Sequence, residues 1–277
     1  MSHVDWSDEP ILTQPVIIAA FEGWNDAGDA SSKAVRHLIE VWSAKRFAAI
    51  DAEDFYDFTA TRPSIRIVEN EQRRVDWPTN EFHWAKPGGV DVILLLGDEP
   101  QLKWRTFCAQ ILEIQSRTNA RLVLTLGALL ADVPHTRPSS VYGTAYDPVV
   151  IEALGLETSS YEGPTGIVGV LHSECRKAGV NSASLWAAVP SYVSSAPSPK
   201  AQRALVERVA EILSVQIDMA EIEADEELYT VQINALVEED TETSEYVRHL
   251  EEEHDRGERE PDIGELVEEV ERFLREQ

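Results

Sequence analysis

The residues best suited to chemistry fall in five short stretches. Glu22-Gly-Trp-Asn-Asp-Ala-Gly28 supplies Glu22, Trp24, Asn25 and Asp26, and Gly97-Asp98-Glu99-Pro100 supplies Asp98 and Glu99. The run from Gly127 to Pro138 holds His135 and Arg137, Glu162-Gly-Pro-Thr-Gly166 holds Glu162 and Thr165, and Pro190-Ser-Tyr192 completes the set. Read together as a pocket, Glu22, Asn25 and Asp98 would orient a small polar substrate, and His135 and Arg137 would bind its anionic portion. Asp98 and Glu99 could also share acid–base work, although adjacency in sequence does not make a pair in space or a perturbed pKa. Each has a plainer reading beside it. Asp26 and Asp29 suit the N-cap of a following helix, Trp24 suits packing, and a Gly at a strand end suits a turn.

Several chemistries are disfavoured by spacing. Gly23 to Gly28 lacks the Lys and Ser/Thr of a phosphate loop, and Asp26 and Asp29 would repel phosphate from a helix N-terminus. No Gly-x-Gly-x-x-Gly and no Gly-x-Ser-x-Gly occurs, so nucleotide cofactors and a serine-nucleophile elbow both lack their signatures. Ser139, Ser140, Ser191, Ser194 and Ser195 are loop serines of an ordinary kind. His249 and His254, five residues apart, point about 140° apart around a helix, and His172 and Glu174 face away from each other. The sequence therefore assigns no catalytic residue, no metal ligands and no cofactor.

The elements that would position these stretches alternate in type. Apolar runs at 15–21, 46–51, 90–96, 121–126 and 182–189 read as strands, the third ending at Gly97 and the fourth at Gly127. Helical patterns cover 29–43, 100–117, 147–154, 165–177 and 199–216. Near-continuous Val/Ile/Leu runs separated by helices predict an α/β fold: three layers, a mainly parallel sheet flanked by helices. Ile65–Val68 and the stretch around Trp77-Pro78-Thr79-Asn80 read as extra antiparallel strands or a hairpin insertion. In such folds ligands bind outside the carboxyl ends of the strands, where the five stretches fall.

Charge divides the chain in two. Of 277 residues, 50 are Asp or Glu and 24 are Lys or Arg, a net charge of −26. Residues 1–206 hold 25 acids against 18 bases, and residues 207–277 hold 25 against 6, so the acidity belongs to the last quarter. Nucleic acid and anionic membranes are poor partners for such a surface. Met1 to Pro10 carries Asp5, Asp8 and Glu9 without an apolar core, unlike a signal peptide, and no apolar run approaches a membrane span. Cys108 and Cys175 read as buried thiols of a cytoplasmic protein. The expected organisation is a core domain over 1–215 and an acidic helical C-terminal extension over 216–277. Within the extension, Thr243 or Ser244 could cap a helix carrying Tyr246, Val247 and Leu250. Asp262-Ile-Gly-Glu265 opens a second one, with Ile263, Leu266, Val267, Val270, Phe273 and Leu274 on one face. The linker from Asp255 to Glu260 is the expected mobile part.

Glu22-Gly-Trp-Asn-Asp-Ala-Gly28, Gly97-Asp-Glu-Pro100, Thr125-Leu-Gly127 with Asp132-Val-Pro-His-Thr-Arg-Pro138, and Glu162-Gly-Pro-Thr-Gly166 together resemble the actinobacterial branch of the proteasome assembly chaperone-two family. The likeness covers about residues 10–215. It implies a nucleoside-phosphorylase-like three-layer core, self-association as a homo-oligomer (a trimer among the options), and protein partners such as proteasome α-type subunits. Some relatives dock through a C-terminal hydrophobic–Tyr–any tripeptide. This sequence ends Arg275-Glu276-Gln277 and departs from that pattern. The leading expectation is a non-enzymatic assembly-chaperone-like or scaffold protein. The alternative is an enzyme of phosphorylase or hydrolase type acting on a small polar substrate.

Overall fold

The computed structural model describes residues 2–68, 72–159 and 161–257. Ten strands and seven α-helices follow in chain order: β1 Val4–Trp6, β2 Val16–Glu22, α1 Ala30–Val41, β3 Lys45–Ile50, β4 Ser64–Val68, β5 Gln72–Asp76, β6 Asn80–Ala85, β7 Val92–Asp98, α2 Trp104–Thr118, β8 Leu122–Ala131, β9 Val141–Ala145, α3 Pro148–Leu154, α4 Ile167–Lys177, β10 Ser182–Pro190, α5 Pro199–Leu213, α6 Ala220–Glu238 and α7 Thr241–Arg256. Eight strands form one sheet in the order β1-β3-β6-β7-β2-β8-β10-β9.

The sheet is mixed. Its centre, β7-β2-β8-β10, is parallel throughout. Outside it, β6 runs antiparallel to β7, β3 to β6, β1 to β3, and β9 to β10. The expectation of a mainly parallel sheet therefore holds for the core and gives way at both sides. Connection length explains one side. Residues 86–91 join β6 to β7 through a tight Pro87–Gly89 turn, whereas a parallel crossover needs about a dozen residues or more. β4 and β5 form a separate exposed hairpin, the insertion anticipated between the second and third strand runs. Ile65–Val68 lies in it, but its second strand is Gln72–Asp76, while residues 77–79 are a loop and Asn80 opens β6 of the main sheet.

Alternation along β2 fixes the layers. Val16, Ile18 and Ala20 pack with Leu94, Leu124 and Leu185 against Val35 and Leu38 of α1 and Leu205 and Val209 of α5. Ile17, Ala19 and Phe21 face the other way, toward Phe107 and Ile111 of α2 and Leu171 of α4. Each such buried side chain contributes about 1.5–3 kcal/mol, which is why a strand covered on both faces reads as an unbroken apolar run. Cys108 and Cys175 are buried free thiols in the α2–α4 layer.

Two glycines read as strand ends lie inside strands instead. β7 continues through Gly97 to Asp98, and β8 through Gly127 to Ala131. A Cβ on Gly97 would sit 2.1 Å from the Thr79 carbonyl oxygen, and one on Gly127 would sit 2.5 Å from the Trp186 ring. Close approach by a neighbour, not turn geometry, selects glycine at both positions.

The acidic segment supplies α6 and α7. Ile222 of α6 joins the core, while Tyr229, Ile233 and Val237 pack with Val247 of α7 against Tyr192, Val193 and Ala196. Arg203 of α5 bridges to Glu223 at 3.5 Å and Glu226 at 3.1 Å. The cap of α7 is Asp240, whose carboxylate accepts from the amides of Glu242 and Thr243. Thr243 is thus one turn too late for the cap, and the Ser244 hydroxyl donates back to the Val237 carbonyl at 2.6 Å. The helix expected after Asp262 lies outside the described residues.

Candidate functional site

The polar groups at the carboxyl ends of the parallel strands are held mainly by one another. β2 turns at Gly23, whose φ of 124° excludes a side chain without strain. Asp26 then bridges to Ala128 of β8 through its backbone. Its carboxylate accepts from the Ser31 amide at 2.7 Å, the Ser31 hydroxyl at 2.6 Å and the Ser32 amide at 3.1 Å. Asp26 thus satisfies the free donors of the first turn of α1. Asp29, left-handed at φ 51°, makes no such bond, so one of the two expected capping aspartates does the capping.

Glu99 ties three stretches together. Its Oε1 accepts from the buried Asn25 amide at 3.0 Å and from the Ile167 backbone N–H at the start of α4, at 2.8 Å. A carboxylate at a helix N-terminus gains from both the hydrogen bond and the helix dipole. Gly166 leaves it room, since a Cβ there would approach Asn25 Nδ2 to 2.6 Å and Glu99 Oε1 to 2.8 Å. The Glu22, Gly97 and Glu162 stretches therefore meet at a single carboxylate.

Two cavities flank this junction. One, of about 460 Å³, is an acidic cleft lined by Glu22, Asp98, Glu99, Thr61, Gln101 and Trp104. Glu22 and Asp98 are register partners on β2 and β7. Burial raises the Glu22 pKa, repulsion from Asp98 adds to that, and Arg36, 2.8 Å away, offsets part of it. Burial likewise raises Asp98. The other cavity, of about 430 Å³, opens beside β8, β9 and β10 and is walled by Trp24, Tyr146, Tyr161 and Trp186, with Asn25 and Thr165 also lining it. Glu162 is exposed and lines neither.

His135 and Arg137 stand apart from both cavities and seat the acidic helices. The Tyr192 hydroxyl accepts from the His135 backbone N–H and donates to Nδ1, both at 2.7 Å. His135 Nε2 then donates to Asn234 Oδ1 of α6 at 2.9 Å. This network suits a neutral ring, and burial lowers the His135 pKa. Arg137 grips Asp255 of α7 with two bonds, at 2.9 and 2.8 Å, and reaches Glu251 at 3.2 Å. Thr136 donates to Glu251 as well, and Tyr246 to Asp132. The anion met by Arg137 is the chain's own helix.

Sequence reasoning missed these partners, as it missed the buried pairs Thr125–His172 and Thr144–Ser184 under the second cavity, each 2.8 Å apart. The excess of acid after residue 206 was a signal for Arg137; nothing local announces the hydroxyl pairs. Among the described residues no cluster of His, Cys, Asp or Glu could hold a metal ion, and no helix is long and apolar enough to cross a membrane.

Comparison with known proteins agrees with this architecture. No curated protein matches the chain. Among solved structures, a PAC2 family protein from Streptomyces avermitilis is 46% identical, with a TM-score of 0.79 over 84% of this chain and 99% of its own. A proteasome-assembly chaperone homologue from Mycobacterium tuberculosis is also 46% identical, with a TM-score of 0.76 over the same shares. PbaB, an archaeal proteasome activator from Pyrococcus furiosus, shares the fold at 20% identity and a TM-score of 0.66, over 85% of this chain and 98% of its own. The sequence profile of the PAC2 family matches residues 20–237, and with the two actinobacterial structures this establishes that the chain belongs to the PAC2 family.

Proposed function

We propose that this protein is a non-enzymatic, assembly-chaperone-like scaffold of the cytoplasm that self-associates and binds protein partners. The observation that carries this reading is α6. Its inner stripe of Ile222, Tyr229, Ile233 and Val237 is buried, yet Leu228 and Val231 on its outer side are 62% and 69% exposed, and Leu236 at the border of the stripe is 59% exposed. A helix that only covers a core needs one apolar stripe. The outer apolar side chains stand among the exposed acids Glu221, Asp225, Glu227 and Glu238. That surface fits a partner with an apolar patch rimmed by Lys and Arg, held by attraction that weakens as salt rises. Family membership puts proteasome α-type subunits first among such partners.

Affinity purification from the native host, at low and moderate salt, tests the reading. A stoichiometric partner lost on Leu228→Glu with Val231→Glu supports it. Recovery of the chain alone in both salts removes it. A second reading, an enzyme of phosphorylase or hydrolase type on a small polar substrate, draws on the Glu22–Asp98 pair in its cleft. A thermal-shift screen of polar metabolites at about 100-fold over Kd, where one bound ligand adds about 2.7 kcal/mol, ends that reading if nothing shifts.

A further inference from the structure

The cavity beside β8, β9 and β10 is uncharged. In a chain with 50 acidic and 24 basic residues, none of the described residues that line it is Asp, Glu, Lys or Arg. Its rim carries the exposed rings of Trp24 and Tyr146, and its wall the ring of Trp186. Trp186 is pinned against the backbone of Gly127, where no Cβ could fit, so its indole is positioned before any ligand arrives. Deeper lie the buried hydroxyls of Thr144 and Ser184, and His172, which is only 7% exposed. His172 Nε2 is bonded to Thr125 Oγ1 at 2.8 Å. Burial holds the His172 pKa at about 4, so the ring is neutral at physiological pH.

We propose that this cavity binds a small, uncharged, planar aromatic molecule, with its rings against Trp24 and Trp186 and a hydrogen-bonding group toward Ser184 and His172. Three features select that class. The volume of about 430 Å³ falls in the usual range for small-molecule sites. An ion entering would lose its water and meet no charged side chain among the described lining residues, the Arg176 guanidinium lying outside them over the Tyr146 ring, and a neutral molecule avoids that loss. Flat aromatic walls favour a planar ring over a flexible chain, and the hydroxyls and imidazole can each donate or accept. The site is separate from the outer face of α6, and it stands or falls independently of the scaffold reading.

A matched pair of probes on the full chain tests it: neutral N-phenyl-1-naphthylamine and its sulfonated relative 8-anilinonaphthalene-1-sulfonate. The neutral probe is expected to bind saturably, one per chain, with quenching of tryptophan emission, and the sulfonate at least about tenfold more weakly. Thr165→Trp and Ser194→Trp, exposed positions on the lining, should each weaken the neutral probe at least about tenfold without moving the unfolding midpoint. Leu228→Glu on α6 should leave probe binding unchanged. Absence of saturable binding overturns the proposal. So does equal affinity for the two probes, or binding that survives both rim variants, or binding lost through Leu228→Glu.

Discussion

Two cavities of similar size share one edge of the sheet and even share Gly23, yet they differ in kind. The cleft at Glu22 and Asp98 concentrates carboxylates; the described residues lining the cavity under Trp24 and Trp186 include no charged side chain. Between them stands the Asn25–Glu99 hydrogen bond, with Asn25 lining the uncharged side and Glu99 the acidic one. Position at the carboxyl ends of parallel strands marks where a pocket can form. What the pocket can accept is decided by which side chains are already spent. Asp26 is spent on α1 and Glu99 on α4, and Arg137 is spent on α7. Much of the polar signal that looked like a ligand site is capping and docking.

Removing the partition should have the largest effect. Glu99→Ala leaves the buried Asn25 amide and the Ile167 N–H without an acceptor, at a cost of about 2–4 kcal/mol in urea unfolding. Glu99→Gln keeps an acceptor and should recover at least half of that. Equal losses for both variants would mean that the negative charge of Glu99, and not a neutral acceptor of the same size, holds Asn25 and the start of α4.

The cavities should also respond to pH in opposite directions. His172 in the uncharged cavity has its pKa lowered from 6.5 to about 4 by burial. Between those values the unfolded chain binds the extra proton, so the stability tied to a neutral His172 is full above pH 6.5 and is lost as pH falls toward 4. The change amounts to about 3 kcal/mol. His83 and His135 are shifted the same way and add to the slope. In the cleft, Asp98 has its pKa raised from 3.8, so the folded chain binds the extra proton and stability falls as pH rises through the raised value. Urea unfolding of His172→Leu and Asp98→Asn from pH 4 to 7 separates the two. The first variant should flatten the rise in stability with pH. The second should be more stable than wild type at pH 7, with an advantage that shrinks toward pH 4. Parallel pH profiles for wild type and both variants would erase the distinction between the cavities.

How far the sequence revealed all this depended on where each residue's partner lay. Val16–Phe21 is legible because burial on both faces demands an unbroken apolar run. Asp26 is legible because a cap lies within a few residues of the amides it serves. Gly97 and Gly127 were misread because the contacts that require them, Thr79 and Trp186, come from other strands or loops. The central role of Glu99 was hidden in the same way, by 68 residues of separation from Ile167. α6 escaped because apolar residues on both its sides blur the single stripe that periodicity detects. β9 is only five residues long, has a glycine within it, and follows a proline-rich loop, so it offers little alternation.

The smallest effect separates an anchored ion pair from a merely exposed one. Arg137 holds Asp255 by two bonds and also Glu251, joining residues more than a hundred positions apart, while its own side chain is 31% exposed. Arg36 meets Glu22 by one bond with both partners about half exposed, 54% and 45%. Paired planar geometry limits the side-chain entropy lost, whereas a single exposed contact is worth little. Arg137→Ala should therefore cost about 1 kcal/mol and speed amide exchange along α7, with the penalty shrinking as salt screens the pair. Arg36→Ala should change stability by less than about 0.5 kcal/mol and leave α7 untouched. If Arg137→Ala leaves α7 exchange as slow as before, the apolar seat of Tyr229, Ile233, Val237 and Val247, with the Asp132, His135 and Thr136 bonds, holds the acidic helices without it.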